Sequence, residues 1–224
     1  MNYLLPILGV LLSFIFVYLV KPKNKENFKL LLAFSGAFLL ALTLFELFPD
    51  VYHHSDSKTI GLLVMLGILL QIFLEFFSKG AEHGHIHADS KNTEFPWLLF
   101  TSLSIHSFLE GFPIEGHDTI IYGILIHKIP IAIILSIFLL GSAMKLTKAI
   151  FFIVLFSLMT PLGTFITANF AFTTPYYVPI TALVIGMFLH ISTVILFESS
   201  EGHKFNLRKI VAIIAGIIIA YYLA

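Results

Sequence analysis

Eight near-continuous apolar stretches, each about as long as a bilayer is thick, decide what this chain can fold into. They run roughly over 3–20, 28–49, 59–78, 95–116, 118–141, 147–169, 177–198 and 207–223. A helix needs about 20 residues to cross hydrocarbon, and it satisfies its backbone polar groups internally, so apolar runs of this length read as membrane helices. The pattern predicts an all-α integral membrane fold with eight transmembrane helices, in a single domain over 1–224. Only 12% of the residues are charged, against about 25% in an ordinary soluble domain. The first run does not read as a signal peptide, because Lys21, Lys23 and Lys25 follow it instead of preceding it.

Basic residues orient the spans. With the N-terminus outside, the inner loops collect Lys21, Lys23, Lys25, Lys29, Lys79, Lys91, Lys145, Lys148, Lys204, Arg208 and Lys209, and the outer side holds Lys58 alone. That asymmetry predicts both termini outside, in a plasma (inner) membrane. It also supports the count of eight, since one span more or fewer would scramble it. The net charge is zero and gives no sign of a nucleic-acid partner. There is no cysteine, so disulfides and thiolate metal sites are excluded. No phosphate-binding or dinucleotide glycine loop occurs, so neither ATP coupling nor an organic cofactor is expected.

Ionisable side chains inside lipid are costly and are functional suspects by default. They concentrate between residues 106 and 130. His106 and Glu110 are four apart, on one face of a helix, and can share a divalent cation. His127 on the next span would complete a two-imidazole, one-carboxylate donor set with room for water. Ser107 and Lys128 stand beside these ligands. A purely structural arrangement is the alternative: His106 bonded to a backbone carbonyl and Glu110 paired with Lys128.

Other polar residues mark a possible route. Glu46 lies within span 2, with Asp50, His53, His54 and Asp56 at its outer mouth; these either gather cations or form a solvated loop. Gln71 and Glu75 lie toward the inner end of span 3, and His190 lies in span 7. The inner loop at about 79–94 carries His83, His85 and His87, an alternating trio able to hold a transition metal loosely. Gly111 and Pro113 break span 4, span 5 carries Pro130 three residues after His127, and span 6 carries Pro161. Freed carbonyls are tolerated in a membrane where they are buried or line a cavity, and broken helices beside ionisable groups suit a transporter.

Spans 2 and 7 echo one another. Both read Gly-x-Phe-Leu, from Gly36 and from Gly186, and both later read Leu-Phe-Glu, ending at Glu46 and Glu198, with spacings that differ by two residues. The two spans run in opposite directions. An inverted repeat of spans 1–3 and 6–8 around spans 4–5 would produce this, with Gly36 and Gly186 allowing close helix packing.

Taken in order, several motifs resemble the ZIP (Zrt/Irt-like) family of divalent metal transporters. They are His106-Ser107-Phe108-Leu109-Glu110-Gly111 with Gly116, the His127-Lys128 pair, Phe156-Ser157-Leu158-Met159-Thr160-Pro161-Leu162-Gly163, and Gly186-Met187-Phe188-Leu189. The resemblance is to the subgroup with His-Lys in the fifth helix. It implies a carrier, not an enzyme, that moves Zn²⁺ or a related ion (Fe²⁺, Mn²⁺, Cd²⁺) into the cytosol between helices 4 and 5. A homodimer is common in that family. Many relatives hold a carboxylate where Lys128 stands and another at Ile131, building a two-metal site; here one is an ammonium and the other apolar.

One metal at His106, Glu110 and His127 is therefore expected, with Lys128 as a fixed positive charge in place of a second ion. At an effective dielectric of ~20, unit charges 4 Å apart interact by about 4 kcal/mol. Two imidazoles and a carboxylate favour Zn²⁺ over Mg²⁺ or Ca²⁺. Binding should weaken at acid pH as the imidazoles take up protons. Two other readings are a zinc-dependent hydrolase of lipids within the membrane and a metal sensor that transports nothing. The chain has no His-Glu-x-x-His motif to favour the first.

Overall fold

The computed structural model describes residues 3–22, 25–78, 95–117, 119–198 and 207–224. These residues are almost entirely helical, with no strand among them. Helix α1 is Leu4–Val20 and α2 is Lys25–Leu42. The latter continues through a π-helical turn, Thr43–Leu47, into α3, Phe48–His54. Helix α4 is Ser57–Ser78 and α5 is Trp97–Leu109, followed by a 3-10 turn at Phe112–Glu115. Helices α6 (Ile120–Gly141) and α7 (Leu146–Asn169) come next. A 3-10 turn at Ala171–Tyr176 leads into α8 (Tyr177–Glu198), and α9 is Leu207–Leu223.

Each predicted span contains a helix, and the all-α membrane fold stands. Among the described residues, five helical stretches are long and apolar enough to cross a bilayer: Phe28–His54, Ser57–Ser78, Ile120–Gly141, Leu146–Asn169 and Ala171–Phe197. Helices α1, α5 and α9 are shorter, with 17, 13 and 17 residues. The outer surface is apolar, as lipid requires: Leu62, Leu66, Leu69, Phe73 and Phe76 of α4 all face outward. Polar side chains point in, among them Ser35, Thr43, Gln71, Ser102, Ser136, Thr160, Thr181 and Ser192. With lipid as apolar as leucine, such a bundle is held by close packing and interhelical hydrogen bonds.

The tightest crossings are backbone against backbone. Helix α4 packs on α8 and α5 on α7. At the first crossing Gly67 faces the Leu183 carbonyl while Gly186 faces the Val64 carbonyl. At the second, Gly111 and Gly163 face the carbonyls of Thr160 and Phe108. A methyl group on any of the four would overlap a main-chain atom that has no rotamer to move. Gly36 also sits at an interface, against Ile195 of α8. Helix α9 lies along α2 and is pinned to α8 by the Lys209 ammonium, which donates to the Leu196 carbonyl at 2.6 Å.

The expected breaks differ in detail. Helix α5 does end at Leu109, before Gly111. Pro130 and Pro161, however, lie inside α6 and α7, which run through them unbroken. A proline removes one ladder bond and crowds one carbonyl, and a buried helix held along both sides tolerates that. The irregularity that the sequence pattern did not announce is the π-turn at Thr43–Leu47, which carries Glu46.

Candidate metal site at the end of helix α5

Thirteen residues of α5 span only about 20 Å at 1.5 Å per residue, less than the ~30 Å of hydrocarbon. The helix therefore stops inside the bundle. Glu110 is its C-cap, with its amide bonded to the His106 carbonyl at 3.0 Å. The last carbonyls of a helix carry partial negative charge, so a helix that ends here favours a cation beside Glu110.

The side chains around that point are sealed from outside: His106, Glu110, His127 and Lys128 are at most 2% exposed, and Ser107, Gln71 and Thr160 are fully buried. Glu110 is the hub. Its Oε1 accepts from the Lys128 ammonium and, at 2.7 Å, from the Thr160 hydroxyl. Its Oε2 lies 3.3 Å from His106 Nε2. Lys128 also donates to Ser107 Oγ at 2.9 Å and stands 4.9 Å above the Phe156 ring. The ammonium thus has a carboxylate, a hydroxyl and an aromatic face, as a buried charge requires. His106 Nδ1 is 3.2 Å from Gln71 Oε1 on α4. The His127 ring is edge-on to His106, with centroids 6.3 Å apart.

The predicted ligands are thus neighbours at one depth. His106 and Glu110 are in contact. Lys128 is on the carboxylate as the structural alternative anticipated, whereas His106 bonds the Gln71 amide and not a backbone carbonyl. His127 adjoins His106, but among the described residues no three His, Asp or Glu side chains close into a metal cage. The 3.3 Å gap between His106 Nε2 and Glu110 Oε2 nonetheless has the size of a tetrahedron edge; ligand bonds of ~2.0–2.2 Å give edges of about 3.4 Å.

The other singled-out residues lie elsewhere. Glu46 accepts from the Thr119 hydroxyl through Oε1, and its buried Oε2 has no partner among the described residues. His190 Nε2 lies 2.7 Å from Glu75 Oε2, linking α8 to α4. His83, His85 and His87 lie outside the described residues. Sequence reasoning missed Thr160 and the role of Gln71. It also missed His117, which lies between Asp50 and Tyr177. Each is joined to its partner across 35 or more residues of chain, so no local spacing could have signalled the contacts.

Comparison with known proteins agrees with the resemblance. Zinc transporter ZIP1 of Danio rerio is 36% identical over 93 residues, which cover 38% of this chain and 30% of that protein. The chain thus spans about a third of the length of the curated relative that it matches. The family model of the ZIP Zinc transporter matches residues 81–224, more than half of the chain and inclusive of His106, Glu110, His127 and Lys128. With apolar helices fit to cross a bilayer and a family match of that extent, this chain is an integral membrane protein that belongs to the ZIP zinc transporter family.

Proposed function

We propose that this chain carries a divalent transition metal, Zn²⁺ foremost, across the membrane into the cytosol. The observation that carries this reading is the buried His106–Glu110–Lys128 group at the end of the broken helix α5. A cation-favouring helix end, a carboxylate with one oxygen committed to an ammonium, and an imidazole one tetrahedron edge from the other oxygen suit a single divalent ion. Lys128 pairs with Glu110 while no metal is bound, and Ser107 and Thr160 fix the pair. His127 turns toward an arriving ion as third ligand, and water fills the remaining position. Fe²⁺, Mn²⁺ and Cd²⁺ suit the same donors less selectively.

Eight crossings with an inverted repeat explain how such a site alternates between the two sides. Gly67 of α4 faces the carbonyl of Leu183 in α8, and Gly216 of α9 faces that of Phe34 in α2. From 34 to 183 and from 67 to 216 is the same step of 149 residues. The equal step supports reading the pairs α4–α8 and α2–α9 as counterparts in two inverted triplets. The distribution of basic residues supports termini on the outer side, and in this reading the chain sits in a plasma membrane and the histidines of the inner loop receive the released metal. A homodimer buries part of the apolar surface.

Reconstituted vesicles test the reading. Zinc should enter vesicles that hold the wild-type chain and should fail to enter when His106→Ala or Glu110→Ala is reconstituted in equal amount. Absent flux with the wild type, or undiminished flux with both variants, would overturn it.

A further inference from the structure

Outside the buried site, titratable side chains meet at the opposite end of the π-turn. Asp50 of α3 is flanked by two imidazoles. His54 Nδ1 lies 3.2 Å from Asp50 Oδ1 and 2.8 Å from the Asp50 carbonyl oxygen. His117, just past the 3-10 turn after α5, places Nε2 at 3.5 Å from Asp50 Oδ2. Its other nitrogen, Nδ1, is 3.2 Å from the Tyr177 hydroxyl at the start of α8. The Asp50 side chain is 27% exposed and that of His117 15%, so solvent reaches the pair while the fold holds it. Gly116 makes the approach possible, because a methyl group there would overlap the Tyr177 hydroxyl.

One helical turn before Asp50 stands Glu46. Thr119, two residues after His117, binds one Glu46 oxygen; the other is buried without a partner among the described residues. A carboxylate oxygen out of water and without a donor is unfavourable unless a cation visits it.

We infer that Asp50 and His117 form a second binding site for a divalent transition metal, at the outer end of the bundle, with Glu46 as the next oxygen inward. The gap of 3.5 Å between Asp50 Oδ2 and His117 Nε2 admits one metal ion bridging both. Without metal a proton on Nε2 joins the same two atoms; when the metal takes Nε2, the neutral ring keeps its one proton on Nδ1, facing the Tyr177 hydroxyl. Tyr177 is a positioning residue. It accepts from Nδ1 and so turns Nε2 toward the metal, the usual arrangement behind a histidine ligand. His54 holds the carboxylate in place. Two protein ligands with waters bind weakly, which suits a station that must hand its ion on.

The inference adds a station to the transport reading, but the site's existence does not depend on flux. The protein in detergent, with His83, His85 and His87 changed to Ser and with His106→Ala, Glu110→Gln and His190→Ala added, should still bind one Cd²⁺ by equilibrium dialysis. Adding His117→Ala or Asp50→Asn should abolish that binding, Tyr177→Phe should weaken it about tenfold, and His53→Ala, outside the cluster, should leave it intact. Elution volume and helical circular dichroism of each variant identify any that misfold. No bound Cd²⁺ in the background protein, or binding that survives His117→Ala and Asp50→Asn together, overturns the site. Bound Cd²⁺ that is lost with His117→Ala, in a protein without flux, would uphold the site and sink the transport reading alone.

Discussion

Gln71 Oε1 on α4 lies 3.2 Å from His106 Nδ1 on α5, with both side chains buried. An amide oxygen only accepts, so Nδ1 is the nitrogen that donates to it, and Nε2 is the one that faces Glu110 Oε2 across 3.3 Å. A proton or a metal cation can bridge that nitrogen and the carboxylate. On the proposed function, Gln71 is the group that orients His106 as a ligand. Gln71→Leu should lower zinc affinity about 10- to 100-fold, whereas Gln71→Glu keeps the acceptor and should retain most of it. Calorimetric zinc titration of the purified variants checks this; equal affinity for Gln71→Leu and the wild type would remove Gln71 from the site.

Lys128 bears on both stability and metal number. Breaking a buried ion pair leaves its partner charged in a poor solvent, at a cost of about 3–5 kcal/mol. Lys128→Met should accordingly lower the detergent melting temperature, and zinc should restore more of that loss than it adds to the wild type, because the metal replaces the ammonium at Glu110. Lys128→Glu supplies a second carboxylate, so crystals soaked in Cd²⁺ should show two metal peaks. A single peak in that variant would show that the ammonium does not stand in for an ion.

The α4–α8 crossing sets a packing prediction. Gly186 meets the backbone of Val64 and Ile68, and Gly67 meets that of Leu183. Overpacking a core costs about 1–3 kcal/mol even when side chains can shift, and here the obstacle is main chain. Gly186→Val should reduce folded protein in the membrane and lower the melting temperature well beyond Gly141→Ala, where open space surrounds the added methyl. Fluorescence size-exclusion chromatography measures both, and equal yields would show that the two helices can part.

What could be read in advance was local. His106 and Glu110 meet because helical period alone brings residues four apart together, and Tyr177–Glu198 matches its predicted span because the apolar run has clear ends. The Lys128–Glu110 pair was foreseeable too, since two opposite charges in apolar sequence have few other partners. The π-turn around Glu46 was not, because its residues are ordinary helix formers and the extra residue per turn reflects packing. Gln71 beside His106 and His117 beside Tyr177 depend on which helices lie side by side, information that no periodicity within one span contains. Pro130 and Pro161 lie inside continuous helices, so a proline in the sequence did not by itself locate a helix end.

The His190–Glu75 pair supports a prediction about release. Glu75 lies one helical turn beyond Gln71 on α4, farther toward the end that the basic residues assign to the cytosol, and it holds His190 of α8 at 2.7 Å. On the proposed inward route, an ion leaving His106 would pass the Gln71 side of α4 before reaching this pair. A carboxylate and an imidazole there give it intermediate ligands, which lowers the barrier to departure without altering the buried site. His190→Ala should therefore reduce the maximal rate of zinc uptake several-fold while leaving zinc affinity at equilibrium unchanged. Stopped-flow uptake into vesicles loaded with a zinc-sensitive dye, paired with calorimetry on the same preparation, separates the two quantities. A drop in affinity with an unchanged maximal rate would place His190 in capture, and the route drawn along α4 would then be wrong.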